Sequence, residues 1–271
     1  MQNFWWIISL AFLLMAALET AFPATNLGDK IYTRWLRNFS VLIVNGWLMR
    51  LLLMALGFAY AFEVAELEFG LLSQTQWPFP VLFIVSLLLL DFKQYLFHRS
   101  VHRWDLLWRI HKVHHAQDRV DLTSGWFFHP LEALLNLLVD LIVILLTGIP
   151  AEAYIAYIML AHLANLWEHA NIRLPALLEY ILPWVIITPA LHHTHHSLDI
   201  SESNMNYGNI FSFWDRVLCT LGYAGTNSGL PVQYGIEEIY SRPSPRLWEL
   251  MLIPFRRFES DARQLPREGN P

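Results

Sequence analysis

Cysteine is nearly absent from this 271-residue chain. Cys219 stands alone, so no disulfide can form within it, and neither a cysteine-based zinc site nor an iron–sulfur cluster can be built from its own side chains. Any metal must be held by nitrogen and oxygen. Charge is scarce as well: charged residues make up 15%, hydrophobic residues reach 55%, and mean hydropathy is +0.35. Soluble domains carry about a quarter charged residues, so this balance points to a polytopic membrane protein. A basic excess is missing too; net charge −5 and pI near 6.2 exclude the basic face of a nucleic-acid binder. No dinucleotide GxGxxG loop, haem motif or iron–sulfur motif is present, so electrons for any redox reaction must come from a separate donor. There is no internal repeat and no low-complexity tract. The first apolar run, 4–18, has no basic segment before it and leads into Glu19 rather than a small-residue cleavage site, so it reads as a retained membrane helix.

What the chain has instead is long apolar runs and histidine. A membrane crossing needs roughly 20 apolar residues, and five stretches qualify, near 3–22, 41–62, 78–97, 131–149 and 152–170; the second is the least clean, with Asn45 and Arg50 inside it. A sixth stretch, 177–191, is short and broken by Pro183 and Pro189, which suits a segment lying in the interface. The loop after the first span carries Lys30, Arg34 and Arg37, whereas 63–77 has no Lys or Arg, so the first loop is expected to be cytoplasmic and the second outside. From about 223 the chain is richer in Pro, Gly and charge. A linker at 242–246, an interfacial helix over 247–258 and a disordered end are expected there.

Of twelve histidines, nine fall into spaced groups: His98 and His102; His111, His114 and His115; His169; and His192, His195 and His196. Positions four apart share a helix face, and each HxxHH group can offer three nitrogens to one metal or split them between two. The charge-derived topology delivers every group to the cytoplasmic side, although the histidines played no part in deriving it. Nine imidazoles exceed what one zinc ion takes, and two iron ions with four or five nitrogens each fit the count. A redox metal beside lipid suits oxygen chemistry on an aliphatic substrate.

Other residues stand near these groups. Asp91 is set near the end of a membrane span, where an ionisable group is costly; it either accepts a hydrogen bond from a ligand imidazole or pairs with Lys93 or Arg99. Asn165 lies one turn before His169 and is a candidate ligand, directly or through water. His129 precedes Pro130 and reads as a helix cap, a ligand or a support for one. His193 points away from its HxxHH neighbours and reads as a support, and the deeper His162 as a hydrogen-bonded histidine of the bundle. Glu132 and Glu168 read as ordinary solvated or paired carboxylates. The aromatic trio Trp126, Phe127 and Phe128 reads as an interfacial belt in preference to a lipid tunnel.

The run DFKQYLFHRSVHRWDLLWRIHKVHHAQDRVDLTSGWFFHPLE, followed by WEHANI, PALHHTHHS and NYGNIFSFWD, resembles the fatty acid hydroxylase and sterol desaturase superfamily of integral-membrane di-iron enzymes, over 91–222. The resemblance implies an all-α polytopic bundle of four or five membrane helices with a cytoplasmic helical cap. It implies a di-iron centre held by His98, His102, His111, His114, His115, His192, His195 and His196, with His169 matching the isolated histidine between the later groups. Where some relatives have a further histidine one turn earlier, this chain has Asn165. Asn206, Tyr207 and Gly208 match the family's NYG, read as a turn closing the cap, and Trp214 and Asp215 its WD pair; Leu218 and Cys219 stand where many relatives have Phe and Gly. The implied activity is O2-dependent hydroxylation or desaturation of a sterol, fatty acyl or related lipid, with electrons from a ferredoxin, cytochrome or reductase. No catalytic side chain is implied beyond the metal ligands. Residues 1–222 are expected to form one membrane-embedded catalytic domain and 223–271 a cytoplasmic C-terminal segment. The competing readings are a membrane metal transporter, whose site would lie nearer the midplane, and a non-catalytic lipid-binding relative that keeps the metal.

Overall fold

The structure, a computed structural model, describes residues 2–26, 31–44, 47–225, 229–231, 233–237 and 247–256. Among them there is no strand; only isolated bridges such as Pro23 with Ile172 and Ile186 with Phe211 occur. The helices are α1 (Gln2–Ala21), α2 (Ile31–Val44), α3 (Trp47–Glu66), α4 (Phe79–Arg103), α5 (Asp105–His111), α6 (Pro130–Thr147), α7 (Ala151–His169), α8 (Ala176–Ile181), α9 (Pro189–His195), α10 (Ile200–Ser203), α11 (Phe213–Val217) and α12 (Leu247–Leu252).

Three helices among the described residues are long and apolar enough to cross a membrane: Phe4–Ala21, Phe79–Arg103 and Pro130–Thr147. Helices also form at the other two expected spans, but α7 carries Glu152, His162, Asn165, Glu168 and His169, and the second expected span is divided between α2 and α3. Arg34 and Arg37, expected in a loop, fall on α2. The bundle core packs Phe58 and Val64 of α3, Leu90 of α4, Ile144 of α6, and Tyr154 and Tyr157 of α7. Helix α4 has 25 residues. At 1.5 Å per residue it is roughly 37 Å long, against about 30 Å of hydrocarbon, so an end of it stands beyond the apolar layer. Its last turns carry His98 and His102.

The boundaries of the polar lobe follow from local chemistry. Pro130 opens α6 at its first position, and the Leu131 N–H donates to His129 Nδ1 at 3.1 Å, so His129 is the N-cap. Gly148 closes α6 in the left-handed region (φ 64°); Gly70 approaches so closely that a Cβ on it would lie 2.2 Å from the Gly148 nitrogen. Thr188 caps α9 and Pro189 starts it. Around α8 the large apolar side chains Leu177, Tyr180, Ile181 and Trp184 are exposed, the surface expected of a segment lying in the interface.

Two elements far apart in sequence brace this lobe. The buried Glu19 carboxylate near the end of α1 accepts from the Leu122 N–H at 3.0 Å and the Asn171 N–H at 2.9 Å, so one oxygen holds the loops that follow both α5 and α7. Helix α12 was expected to lie in the interface. Its outer side does expose Trp248, but Leu250 and the following Ile253 are buried with Trp108, Val113, Ala116 and Phe127 on α5 and its loop. The expected linker 242–246 and disordered end lie outside the described residues.

Candidate metal centre

The HxxHH groups are not continuous helices. α5 ends at His111, and His114 and His115 follow in tight turns, with the His114 N–H bonded to the His111 carbonyl at 2.8 Å; α9 ends at His195, leaving His196 at its C-cap. Turning the chain at these points fans the rings apart, and the nine histidines sort into two groups. One holds His98, His102, His111, His115 and His195; the other holds His114, His169, His192 and His196; within each, one nitrogen per ring lies within 4.8 Å of all the others. Each HxxHH motif is therefore shared between the groups. The groups adjoin through His115 and His196, whose rings stack at 4.4 Å.

The outer nitrogen of most rings is already committed. His98 Nδ1–H donates to the Tyr207 carbonyl at 3.0 Å, His195 Nδ1–H to the Met205 carbonyl at 2.8 Å, and His111 Nδ1–H to Glu132 Oε1 at 2.7 Å. His114 Nδ1–H donates to the Phe127 carbonyl at 3.3 Å and His169 Nδ1–H to the Asn165 carbonyl at 2.8 Å. These partners set the tautomer, because a carbonyl or carboxylate can only accept. Nε2 of each ring then carries a lone pair. In the first group the Nε2 atoms of His98, His102, His111, His115 and His195 are buried with no hydrogen-bond partner. In the second, His169 Nε2 lies 3.2 Å from His114 Nε2 and 3.0 Å from His192 Nε2. Between His114 and His169 two lone pairs face each other. That arrangement is repulsive on its own and satisfied by a cation, whose ligands at about 2.0–2.1 Å would stand roughly 3–4 Å apart. The residues present fit two metal ions. Burial first, then mutual repulsion among the rings, holds His114, His115, His192 and His196 well below the usual imidazole range, and His195 is pushed down to about 3. All are neutral near pH 7, the form that binds metal.

The other candidates part company. His129 is not in either group: besides capping α6 it meets the Met251 carbonyl at 3.4 Å through Nε2. Asp91 contacts no imidazole and does not pair with Arg99. It accepts from the Ile210 and Phe211 N–H groups at 3.1 and 3.2 Å and from Trp214 Nε1–H at 3.0 Å, fastening the NYGNIFSFWD loop to α4, while Lys93 pairs with Asp140 at 2.6 Å. His193 stands outside both groups, donating from Nε2 to the His169 carbonyl at 3.2 Å and accepting at Nδ1 from the Tyr234 hydroxyl at 3.2 Å. Asn165 supports His169 through its backbone carbonyl, whereas its side-chain Oδ1 is buried and unpartnered beside Gly125. His162 packs edge-on to Phe4.

Two carboxylates were undervalued by the sequence. Glu132 is buried and orients His111; Glu168 is buried with its oxygens 3.8 Å from His169 Nδ1 and 3.7 Å from His192 Nδ1. The available signal was an acidic residue inside or at the mouth of an apolar run. The NYG turn does more than close the lobe: besides receiving His98, the Tyr207 ring sits edge-on to His98, His102 and His195. Asn206 takes a positive φ of 57°, held by its amide donating to the Leu191 and Gly222 carbonyls, and Asp215 accepts from the Tyr207 and Gly208 N–H groups. The aromatic trio is no interfacial belt: Phe127 is buried, Phe128 stacks on His114 at 4.0 Å, and Trp126 stacks on Phe12.

Comparison with known proteins points the same way. The chain is 30% identical over 145 residues to an ornithine lipid hydroxylase of Rhizobium tropici, covering 54% of this chain and 43% of that one. It is 26% identical over 156 residues to the alkylglycerol monooxygenase of Homo sapiens (53% and 31%), and 31% identical over 140 residues to a very-long-chain aldehyde decarbonylase of Oryza sativa subsp. japonica (51% and 53%). The chain thus matches from about a third to about half of the length of these relatives. No solved structure matches it at a significant level. The family model of fatty acid hydroxylase matches residues 83–220, just over half of the chain and the whole span that carries the nine clustered histidines, and the chain belongs to the fatty acid hydroxylase family.

Proposed function

We propose that this protein is an integral-membrane di-iron oxygenase that uses O2 and externally supplied electrons to hydroxylate or desaturate a lipid. The observation that carries the reading is the pair of buried imidazole groups, each bringing one nitrogen per ring together, with the Nε2 lone pairs of His114 and His169 facing each other. His98, His102, His111, His115 and His195 would hold one iron, and His114, His169, His192 and His196 the other. So held, the metal pair supplies O2 activation and the oxidising power to break an unactivated C–H bond. The chain supplies the rest. Tyr207, Met205, Phe127 and Asn165 lock four rings through backbone carbonyls, Glu132 locks a fifth, and Phe128 stacks on His114. The relatives are named for oxidising ornithine lipids and alkylglycerols or for converting long-chain aldehydes, which supports a lipid substrate here. The distribution of Lys and Arg supports a multi-pass topology with the site on the cytoplasmic face. Residues 1–222 would act as one catalytic unit, with 223–271 as a cytoplasmic C-terminal segment, and a ferredoxin, cytochrome or reductase would donate electrons.

The test is purification with metal analysis and lipid mass spectrometry of cells with and without the protein. About two iron ions per chain and a lipid gaining one oxygen, or losing two hydrogens, are expected. His114→Ala and His195→Ala should each abolish the product while the protein still assembles in the membrane. Full activity in either variant would overturn the di-iron assignment, and metal flux into sealed vesicles without oxygen consumption would favour a transporter.

A further inference from the structure

The two HxxHH motifs are built alike. His111 and His115, the first and third rings of one motif, fall in the first group and the middle ring, His114, in the second; His192 and His196 fall in the second group and His195 in the first. Their supports repeat in the same order. Each middle ring donates from Nδ1 to a backbone carbonyl, His114 to Phe127 at 3.3 Å and His195 to Met205 at 2.8 Å. The third rings, His115 and His196, stack on each other at 4.4 Å. Of the first rings, His111 donates to the Glu132 carboxylate at 2.7 Å. The exception is His192, whose Nδ1 is buried with no hydrogen-bond partner.

Glu168 stands where the pattern calls for an acceptor. Its Oε2 is also buried without a partner and lies 3.7 Å from His192 Nδ1, just beyond hydrogen-bond reach. Its Oε1 is 3.8 Å from His169 Nδ1, but that N–H is already given to the Asn165 carbonyl at 2.8 Å. On its other side His192 presents Nε2 to His169 Nε2 at 3.0 Å and His196 Nε2 at 3.2 Å, where the second group converges. A neutral ring that gives Nε2 to a metal keeps its proton on Nδ1, which makes His192 Nδ1 a donor, and a buried donor needs an acceptor. Closing the gap by about 0.9 Å satisfies two orphaned atoms with one charge-assisted bond. Charge argues alike. Neutral imidazoles bring no negative charge to a pair of metal cations; Glu132 brings one to the first group, and Glu168 is placed to bring one to the second.

We infer that Glu168 is the positioning residue of His192, accepting from His192 Nδ1–H when the second group holds its metal, as Glu132 accepts from His111 Nδ1–H in the first. Each metal then has one imidazole backed by a carboxylate. The inference rests on the di-iron reading and deepens it.

The experiment titrates iron-loaded, purified full-length protein with a graded chelator and counts the metal retained, for wild type, Glu168→Leu and Glu168→Gln, and for Glu168→Leu combined with His192→Ala or His111→Ala. In Glu168→Leu one of the two ions should bind about 10–100-fold more weakly while the other keeps its affinity; Glu168→Gln, whose amide oxygen still accepts, should lie near the lower end. In His192→Ala, which already weakens the second ion, Glu168→Leu should leave the retained ion unchanged; in His111→Ala it should weaken the ion that remains. A merely structural role would loosen the retained ion in both backgrounds. Wild-type affinity for both ions in Glu168→Leu, or equal weakening of both, overturns the inference and leaves the di-iron reading standing. Protein that holds two ions with this dependence and oxidises no lipid would overturn the oxygenase reading and leave the support of His192 standing.

Discussion

A histidine ring has two nitrogens, and at this centre the partner of one fixes the use of the other. His111 is the clearest case, because its Nδ1–H donates to a carboxylate, Glu132, and not to a backbone carbonyl. Removing such a support typically costs about 10–100-fold in metal affinity. Glu132→Leu should fall in that range and Glu132→Gln, which keeps an acceptor, near its lower end; competition with a graded chelator measures it, and wild-type retention in Glu132→Leu would refute the role. The nine histidines were legible in the sequence because spacing alone announces them. Their partners were not. Glu132 lies 21 residues from His111 and the Tyr207 carbonyl 109 from His98, and no local pattern links positions so far apart. Asp91 was misread for the same reason: its partners are backbone N–H groups of a loop about 120 residues on, which composition cannot reveal.

At the scale of elements, the sequence located the helices well and their ends less well. Periodicity made each HxxHH motif look like one helical face, whereas α5 stops at His111 and α9 at His195. Those early stops deal each motif between the two groups. The short helix α5 is held in place by α12, with Leu250 fully buried against the Trp108 cluster and Arg109 Nε–H donating to the Arg256 carbonyl at 3.1 Å. Trp108 in turn packs on His102 and His115 at 5.0 and 5.4 Å. Leu250→Ala should cost about 2–5 kcal/mol by the cavity it leaves, read by denaturation in detergent. It should also make the 105–116 segment more open to proteolysis. An unchanged cleavage pattern would mean that α12 is not a brace. The first part of helix α2, 31–40, read from the sequence as loop, escaped notice because two arginines interrupt its apolar pattern.

Across the whole molecule, acid is the condition the metal-free protein should tolerate least. His114, His115, His192, His193, His195 and His196 are all depressed, chiefly by burial, His193 to about 4 and His195 to about 3. The unfolded chain takes up protons below about pH 6.5 that the folded one refuses, so stability conferred above that pH is lost as pH falls toward the folded values. Each ring contributes about 1.4 kcal/mol per pH unit in that window. Asp215, raised to about 6 by burial, works in the opposite direction but is outnumbered. The expected melting temperature of metal-free protein is flat above pH 7 and drops steeply from about pH 6.5 to 4; a flat profile through pH 4 would show that the rings are not buried together.

Glu19 carries a last consequence. A single oxygen on α1 ties down the backbone after both the second histidine group and the isolated His169, yet α1 lies wholly outside the 83–220 stretch that recurs across the family. What is inherited as a unit is thus smaller than what folds as one. Excised alone, 83–220 should lack its keel and fail to retain metal, and adding α1 as a separate peptide should restore part of that retention; an excised fragment that keeps its full metal would show that the inherited block folds by itself.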